Sequence, residues 1–365
     1  MLRKLHIDKK MGYGSVVKLT RNYGLDLGRF IAASIVALGH LLFTQSLISE
    51  WSRKQIFLEP FKFGALSVTF FFCLSGFVLA PQIELIKRAP LVWLKSRLIR
   101  LLPLYYFSFI IPMFFFILLS RNGRGINFPN GIPSAILGFL ASQSFTSYYL
   151  DLPNPPLWSL SVEIWLSIFL VMLTLKFKFK DISYLVVVLM IINVTQLFSV
   201  NAFLGSMHFF LFGILIRNII DKDLFQSKNF KILNLIFVCV LVYFISPKLL
   251  IGEFDFQYRL TLPILVTFLV VFFSQLTIKN KLAIKLCEIL GARTYSLYAV
   301  HFPILIFLTI GSFRDYLKSP IAYISSSVIF IALITEITYR FIEKPSLKLS
   351  RSIKLRYLQK VGKTR

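Results

Sequence analysis

At 365 residues the chain is 56% hydrophobic and only 16% charged, with a mean hydropathy of +0.74, whereas soluble domains average about 25% charged. That argues against soluble, fibrous and disordered classes alike, because so much apolar surface has to be buried in protein or in lipid. The 41 lysines and arginines against 16 aspartates and glutamates leave +25, a balance that in a membrane protein follows from basic cytoplasmic loops, with no nucleic-acid partner required.

Residues 1–24 form a basic stretch (Arg3, Lys4, Lys9, Lys10, Lys18, Arg21) and read as a cytoplasmic tail. The first apolar run starts near residue 27, holds His40 and Gln45, and lacks a small-residue cleavage site behind it, so it reads as a retained span and not a signal peptide. Together with it, windows of about 20 apolar residues, enough to cross roughly 30 Å of hydrocarbon, lie near 27–47, 63–82, 101–120, 157–175, 182–199, 203–220, 232–247, 260–278, 288–311 and 319–339. An eleventh run, 131–147, is short, broken by glycine and rich in Ser and Thr.

Charge decides the eleventh. If 131–147 does not cross and the N-terminus is cytoplasmic, inner segments carry 30 basic residues and outer segments nine, a strong positive-inside bias. Crossing would put Lys176, Lys178 and Lys180 outside and invert every later loop. The expectation is an all-α, polytopic bundle of about ten transmembrane helices with both termini cytoplasmic. A membrane domain spans 25–345, a basic C-terminal tail 346–365, and 131–147 is re-entrant or interfacial. No water-soluble domain is expected. Cys73, Cys239 and Cys287 lie far apart without metal-ligand or disulfide spacing and read as small buried hydrophobes.

Ionisable groups within apolar spans cost at least a few kcal/mol and are functional candidates. His40 lies eleven residues after Arg29, about three turns or 16 Å along a helix, so the two project from nearly one face. It reads as a deep functional imidazole or as a hydrogen bonder to a neighbouring helix. Glu163, in PPLWSLSVEIWL, falls roughly 9 Å inside the outer edge of its span, a depth comparable with that of His40. A carboxylate there needs an imidazole or arginine partner. Trp158 and Ser159 above it could line a sugar-stacking vestibule, though Trp158 equally suits an interfacial belt.

Arg97 and Arg100, in SRLIRLLPLYY, share a helix face at i,i+3 and form a fork suited to phosphates or, alternatively, a pair of lipid anchors. His301 lies mid-span in TYSLYAVHFPIL, and His208 reads as structural. The cluster Glu336, Arg340, Glu343 and Lys344 closes the last span, where its charges can pair locally or with the Arg97 region.

Six motifs in order then resemble the membrane-integral acyltransferase family 3, whose members transfer acyl groups to sugars: LDLGRFIAASIVALGH, FFCLSGFVLA, SRLIRLLPLYY, PPLWSLSVEIW, YSLYAVHFPI and RFIEKP, spread over residues 25–345. The Asp26-Leu27-Gly28-Arg29 turn moves the family's glycine by one place. The resemblance implies an O-acyltransferase, most often an O-acetyltransferase, of a bacterial inner membrane. It would move an acyl group from cytoplasmic acetyl-CoA or another acyl-CoA to a hydroxyl of an extracytoplasmic polysaccharide or lipid-linked glycan. Membrane lipids are the other partner; no permanently bound cofactor or metal is implied.

On that reading Arg29, Arg97 and Arg100 bind the donor, and His40 and Glu163 are catalytic, His40 as general base on the acceptor hydroxyl and Glu163 orienting it or steadying the imidazolium. Trp158, Ser159 and His301 are candidate substrate-binding residues. The competing class is a proton-coupled transporter using the same buried histidines and carboxylate, which would have no need of a cytoplasmic arginine fork.

Overall fold

The computed structural model describes residues 21–46, 63–121, 131–145, 154–177, 179–195, 202–220, 227–251, 256–309 and 319–363. Most of the basic N-terminal tail, most of the loops between spans, residues 146–147 and Lys178 lie outside the described residues. Among those described there is no strand, as expected where lipid cannot satisfy an open sheet edge.

The helices are α1 (Tyr23–Ser46), α2 (Gly64–Leu79), α3 (Ile83–Arg88), α4 (Pro90–Arg121), α5 (Gly131–Phe139), α6 (Leu157–Lys176), α7 (Phe179–Thr195), α8 (Ala202–Ile220), α9 (Lys228–Ile251), α10 (Phe256–Gln275), α11 (Lys281–Thr309), α12 (Pro320–Thr338) and α13 (Lys344–Lys363). A 3-10 turn links α2 to α3, and a π turn, Tyr339–Glu343, links α12 to α13. Among the described residues, seven helical segments are long and apolar enough to cross a membrane, and shorter apolar helices cover Ile182–Asn193, Asn229–Tyr243 and Arg259–Gln275. Each falls on one of the ten expected windows. The protein is a membrane protein.

One boundary shifts. The third span was expected to begin at 101, but α4 begins at Pro90, so Arg97 and Arg100 lie inside a helix and not at its edge. An apolar window misses that turn because it counts charges without knowing which way they face. Arg97 is buried in protein and so never meets lipid.

Packing follows close backbone approach, because lipid tails are as apolar as the side chains and little hydrophobic force drives helices together. A Cβ on Gly76 of α2 would stand 1.9 Å from the Phe210 carbonyl oxygen of α8, and one on Gly213 would stand 1.9 Å from that of Cys73. α2 and α8 thus cross backbone to backbone. The other tight pair is α1 with α11. There Gly291 rests on Asp26, where an added Cβ would lie 2.5 Å from the Asp26 Cβ. Each helix of a pair fixes the depth of the polar groups on the other.

The 131–147 run forms α5, about 13 Å long and too short to cross alone. After it the chain turns at Ala141, whose φ of 51° lies in the left-handed region, and continues into a 3-10 turn, Gln143–Phe145. Side chains bind its carbonyls: Tyr105 Oη donates to Gly138 O at 2.6 Å, and Trp165 Nε1 and Ser161 Oγ both donate to Ala141 O. The segment is held on α4 and α6 through its backbone.

Prolines inside helices explain another connection. Pro112 of α4 and Pro303 of α11 have no N–H, which frees the carbonyls four residues back, those of Ser108 and Ala299. The Asn154 amide donates to both, at 3.0 and 2.9 Å. One buried side chain just before α6 therefore satisfies two proline defects and ties α4, α6 and α11 together.

One expectation is corrected. Cys73 and Cys287 are buried as expected, but Cys239 is exposed, because α9 packs mainly on α10 and turns its other face, with Ile236, Val240 and Tyr243, outward to where lipid would lie. The basic 346–365 stretch falls largely within an α-helix, Lys344–Lys363, that packs along α4.

Candidate active site

A cavity between α1, α2, α4, α6, α11 and the π turn encloses about 890 Å³ free of protein atoms, part of it open to solvent. Its charged lining is Arg29, Arg97, Arg100, Glu163 and Glu343; Tyr295, Tyr298, Ser159 and Ser75 supply most of the remaining polar surface. The three arginines singled out from sequence thus meet in one place.

They are held differently. Arg29 reaches the cavity from the first turns of α1, with Nη1 3.2 Å from Asp26 Oδ1. Asp26 is also gripped by Arg21 at 2.5 Å, and Arg21 extends to Glu288 on α11 at 2.9 Å. The shifted glycine leaves this pairing intact, since Asp26 and Arg29 still stand one turn apart. Arg97 is buried, and its Nη2 lies 2.5 Å from Glu163 Oε1. It also donates to Ser75 Oγ at 3.3 Å and Ser167 Oγ at 3.2 Å. Arg100, half-buried, makes no hydrogen bond or ion pair among the described residues while lining the same cavity. Of the expected fork, one arm is therefore committed to a carboxylate and the other is open to a ligand.

Glu163 is accordingly turned toward Arg97 and Ser75. The group that faces His40 is His301: His40 Nδ1 and His301 Nε2 are 3.0 Å apart, with the rings stacked at a centroid distance of 5.1 Å. His301 is fully buried, and its Nδ1 lies 2.8 Å from the Tyr298 carbonyl and 3.2 Å from that of Leu297. Carbonyls only accept, so Nδ1 of His301 carries the proton and Nε2 is left as an acceptor. In the neutral pair His40 Nδ1–H then donates to it, and the His40 ring also bonds the Val36 carbonyl.

The two groups of residues are joined. Ser159 and Tyr298 line the cavity and hydrogen-bond each other at 2.7 Å, and the Tyr298 ring lies edge-on to His301 with centroids 5.7 Å apart. Tyr298 is thus a wall with the arginine cavity on one side and the histidine pair on the other. Trp158 packs at 6.1 Å against Phe72, whose side chain also lines the cavity. His208 is buried on α8, 3.5 Å from Asn193 of α7, away from this cavity.

Several contributors were not picked out beforehand. Tyr298 and Tyr295 sit in the YSLY segment one turn before His301, a position visible in the sequence but unremarked because tyrosines are common in spans. Ser75 gave no signal at all. Glu343 was noted only as part of a closing charge cluster. It is buried, lines the cavity, and accepts from the Ser296 backbone N–H at 3.1 Å and from Ser296 Oγ at 2.5 Å. Within that cluster Glu336 pairs locally, with Arg293 and Arg340.

Over residues 22–339 the chain matches a family model described as an acyltransferase domain. The chain belongs to acyltransferase family 3. No curated protein and no solved structure gives a significant match. The family 3 match takes in the arginines, Glu163 and both members of the histidine pair, and it ends before Glu343 and α13.

Proposed function

We propose that this family 3 acyltransferase is an O-acyltransferase of the bacterial inner membrane. It takes an acyl group, most often acetyl, from cytoplasmic acyl-CoA and transfers it to a hydroxyl of an extracytoplasmic polysaccharide or lipid-linked glycan. One observation carries the reading: a cavity lined by three arginines is separated by a single tyrosine from a pair of histidines in direct hydrogen-bond contact. Anion recognition and proton transfer are the two requirements of acyl transfer from a phosphorylated thioester.

In this reading Arg100 and Arg29 receive the donor's phosphates, and Glu163 holds Arg97 extended into the cavity wall. The acceptor hydroxyl gives its proton to His40 as its oxygen attacks the thioester carbonyl. The C–O ester bond forms, the C–S bond breaks, and the imidazolium returns the proton to the departing thiolate. His301 takes the orienting role: it accepts from His40 Nδ1–H and fixes the tautomer, much as a carboxylate does in other histidine-based sites. A transporter reading uses the same histidines but gives no work to Arg100.

The test is transfer of labelled acetyl from acetyl-CoA to surface glycan in membranes carrying His40→Gln. Glutamine can hydrogen-bond to His301 but cannot take the proton, so donor binding should persist while transfer falls 10²- to 10⁴-fold. Near wild-type transfer would remove His40 as the base. Wild-type protein that fails to move acetyl from any acyl-CoA would remove the reading altogether.

A further inference from the structure

Beyond the family match, α13 brings one more cation near Arg97 and Arg100, although Lys354 is not among the residues that line the cavity. Lys354 is half-buried, and its Nζ lies 2.9 Å from Gln82 Oε1 in the turn that follows α2. The same oxygen accepts the indole N–H of Trp93 at 2.9 Å, and Trp93 is completely buried on α4. The lysine is therefore aimed inward and tied to the framework. Other basic residues of α13, such as Lys348, Arg351 and Arg356, are exposed.

Among the described residues Lys354 has no ion pair; its one partner is a neutral amide oxygen that already serves Trp93. It is close enough to Arg97 and Arg100 to feel both of their charges. Drawing an ammonium out of water towards two guanidinium groups is unfavourable unless an anion joins them. Of the nearby carboxylates, Asp26 is paired with Arg29 and Glu163 with Arg97, while Glu343, hydrogen-bonded to Ser296, feels the charge of Arg100. The four cations Arg29, Arg97, Arg100 and Lys354 thus outnumber the carboxylates Asp26, Glu163 and Glu343 by one, and Lys354 is the cation that has no carboxylate partner among the described residues.

We propose that Lys354 belongs to the donor-binding site, its ammonium meeting a phosphate of the acyl-CoA opposite Arg100, so that α13 forms part of the donor pocket. The proposal rests on the acyl-CoA reading above. It makes Lys354 a binding residue, remote from the reacting atoms.

Binding of CoA and of dephospho-CoA to full-length protein in nanodiscs, measured by calorimetry, separates the possibilities. Lys354→Met keeps the length and apolar stem of the side chain and should weaken CoA binding about ten- to a hundredfold, the range for one charge-assisted hydrogen bond. Lys354→Arg should bind close to wild type. Gln82→Glu keeps the tether but gives the lysine an internal carboxylate, so it should weaken CoA binding even if Lys354→Met fails to fold. An effect of Lys354→Met that vanishes with dephospho-CoA assigns the lysine to the 3′-phosphate, and one that persists assigns it to the diphosphate. Wild-type affinity in both Lys354→Met and Gln82→Glu would overturn the proposal and leave Lys354 as a tether of α13. Wild-type protein that binds no CoA at all would bring down the donor reading, and this proposal with it.

Discussion

Arg97 and Arg100 differ by one helical turn yet do opposite work. Arg97 spends its charge on Glu163 and keeps only 6% of its side chain exposed, against 24% for Glu163. Breaking a buried pair strands the remaining charge, and about 3 kcal/mol is expected here, the low end for such pairs because Glu163 keeps some access to water. Arg97→Ala should therefore lower the melting temperature of detergent-purified protein. Arg100→Ala should leave the melt unchanged and weaken CoA binding. Equal melts for Arg97→Ala and wild type would show that the pair does not hold the fold. At this scale the sequence picked out the ionisable residues that line the cavity on α1, α4 and α6, because a charge in an apolar run stands out, but not which of them meet. Depth counted from span edges put Glu163 level with His40; the early start of α4 at Pro90 carries Arg97 inward to Glu163, and His301 fills the place beside His40.

Between elements, the bond network around Asn154 is the most exposed to test. Replacing it by alanine leaves the Ser108 and Ala299 carbonyls buried without donors, at about 1–3 kcal/mol each. The cost should shrink in a Pro112→Ala/Pro303→Ala background, where each helix regains the N–H that proline removed. Thermal melts of the four combinations give the coupling directly, and strict additivity would mean that Asn154 acts otherwise than through these carbonyls. The prolines are plain in the sequence, and so is the turn-forming PNPP segment. Their connection is not, since it joins residues 46 and 145 positions apart in the chain. Helix positions were legible because bilayer thickness imposes a length on each apolar run; the α2–α8 crossing was not, because a glycine announces close approach without saying to what.

For the molecule as a whole, the sidedness that rests on thirty inner against nine outer basic residues remains a proposal with a direct test. Cys239 is exposed and should first be replaced by alanine. A cysteine at Ser120 should then react with an impermeant maleimide from outside intact cells, and one at Lys178 should not. External labelling at Lys178 would mean that 131–147 crosses and that every later segment is inverted. The π turn at Tyr339–Glu343 has a consequence of a different kind. It holds one residue more per turn than an α-helix, and each residue of α-helix corresponds to about 100° of rotation and 1.5 Å of rise. Deleting a single residue there would let the helix run straight on, turn α13 by roughly a quarter of a circle, and carry Lys354 off Gln82 and Glu343 off Ser296. The junction behaves as a vernier: chain length between the last span and the donor pocket, counted in single residues, sets the alignment of one with the other.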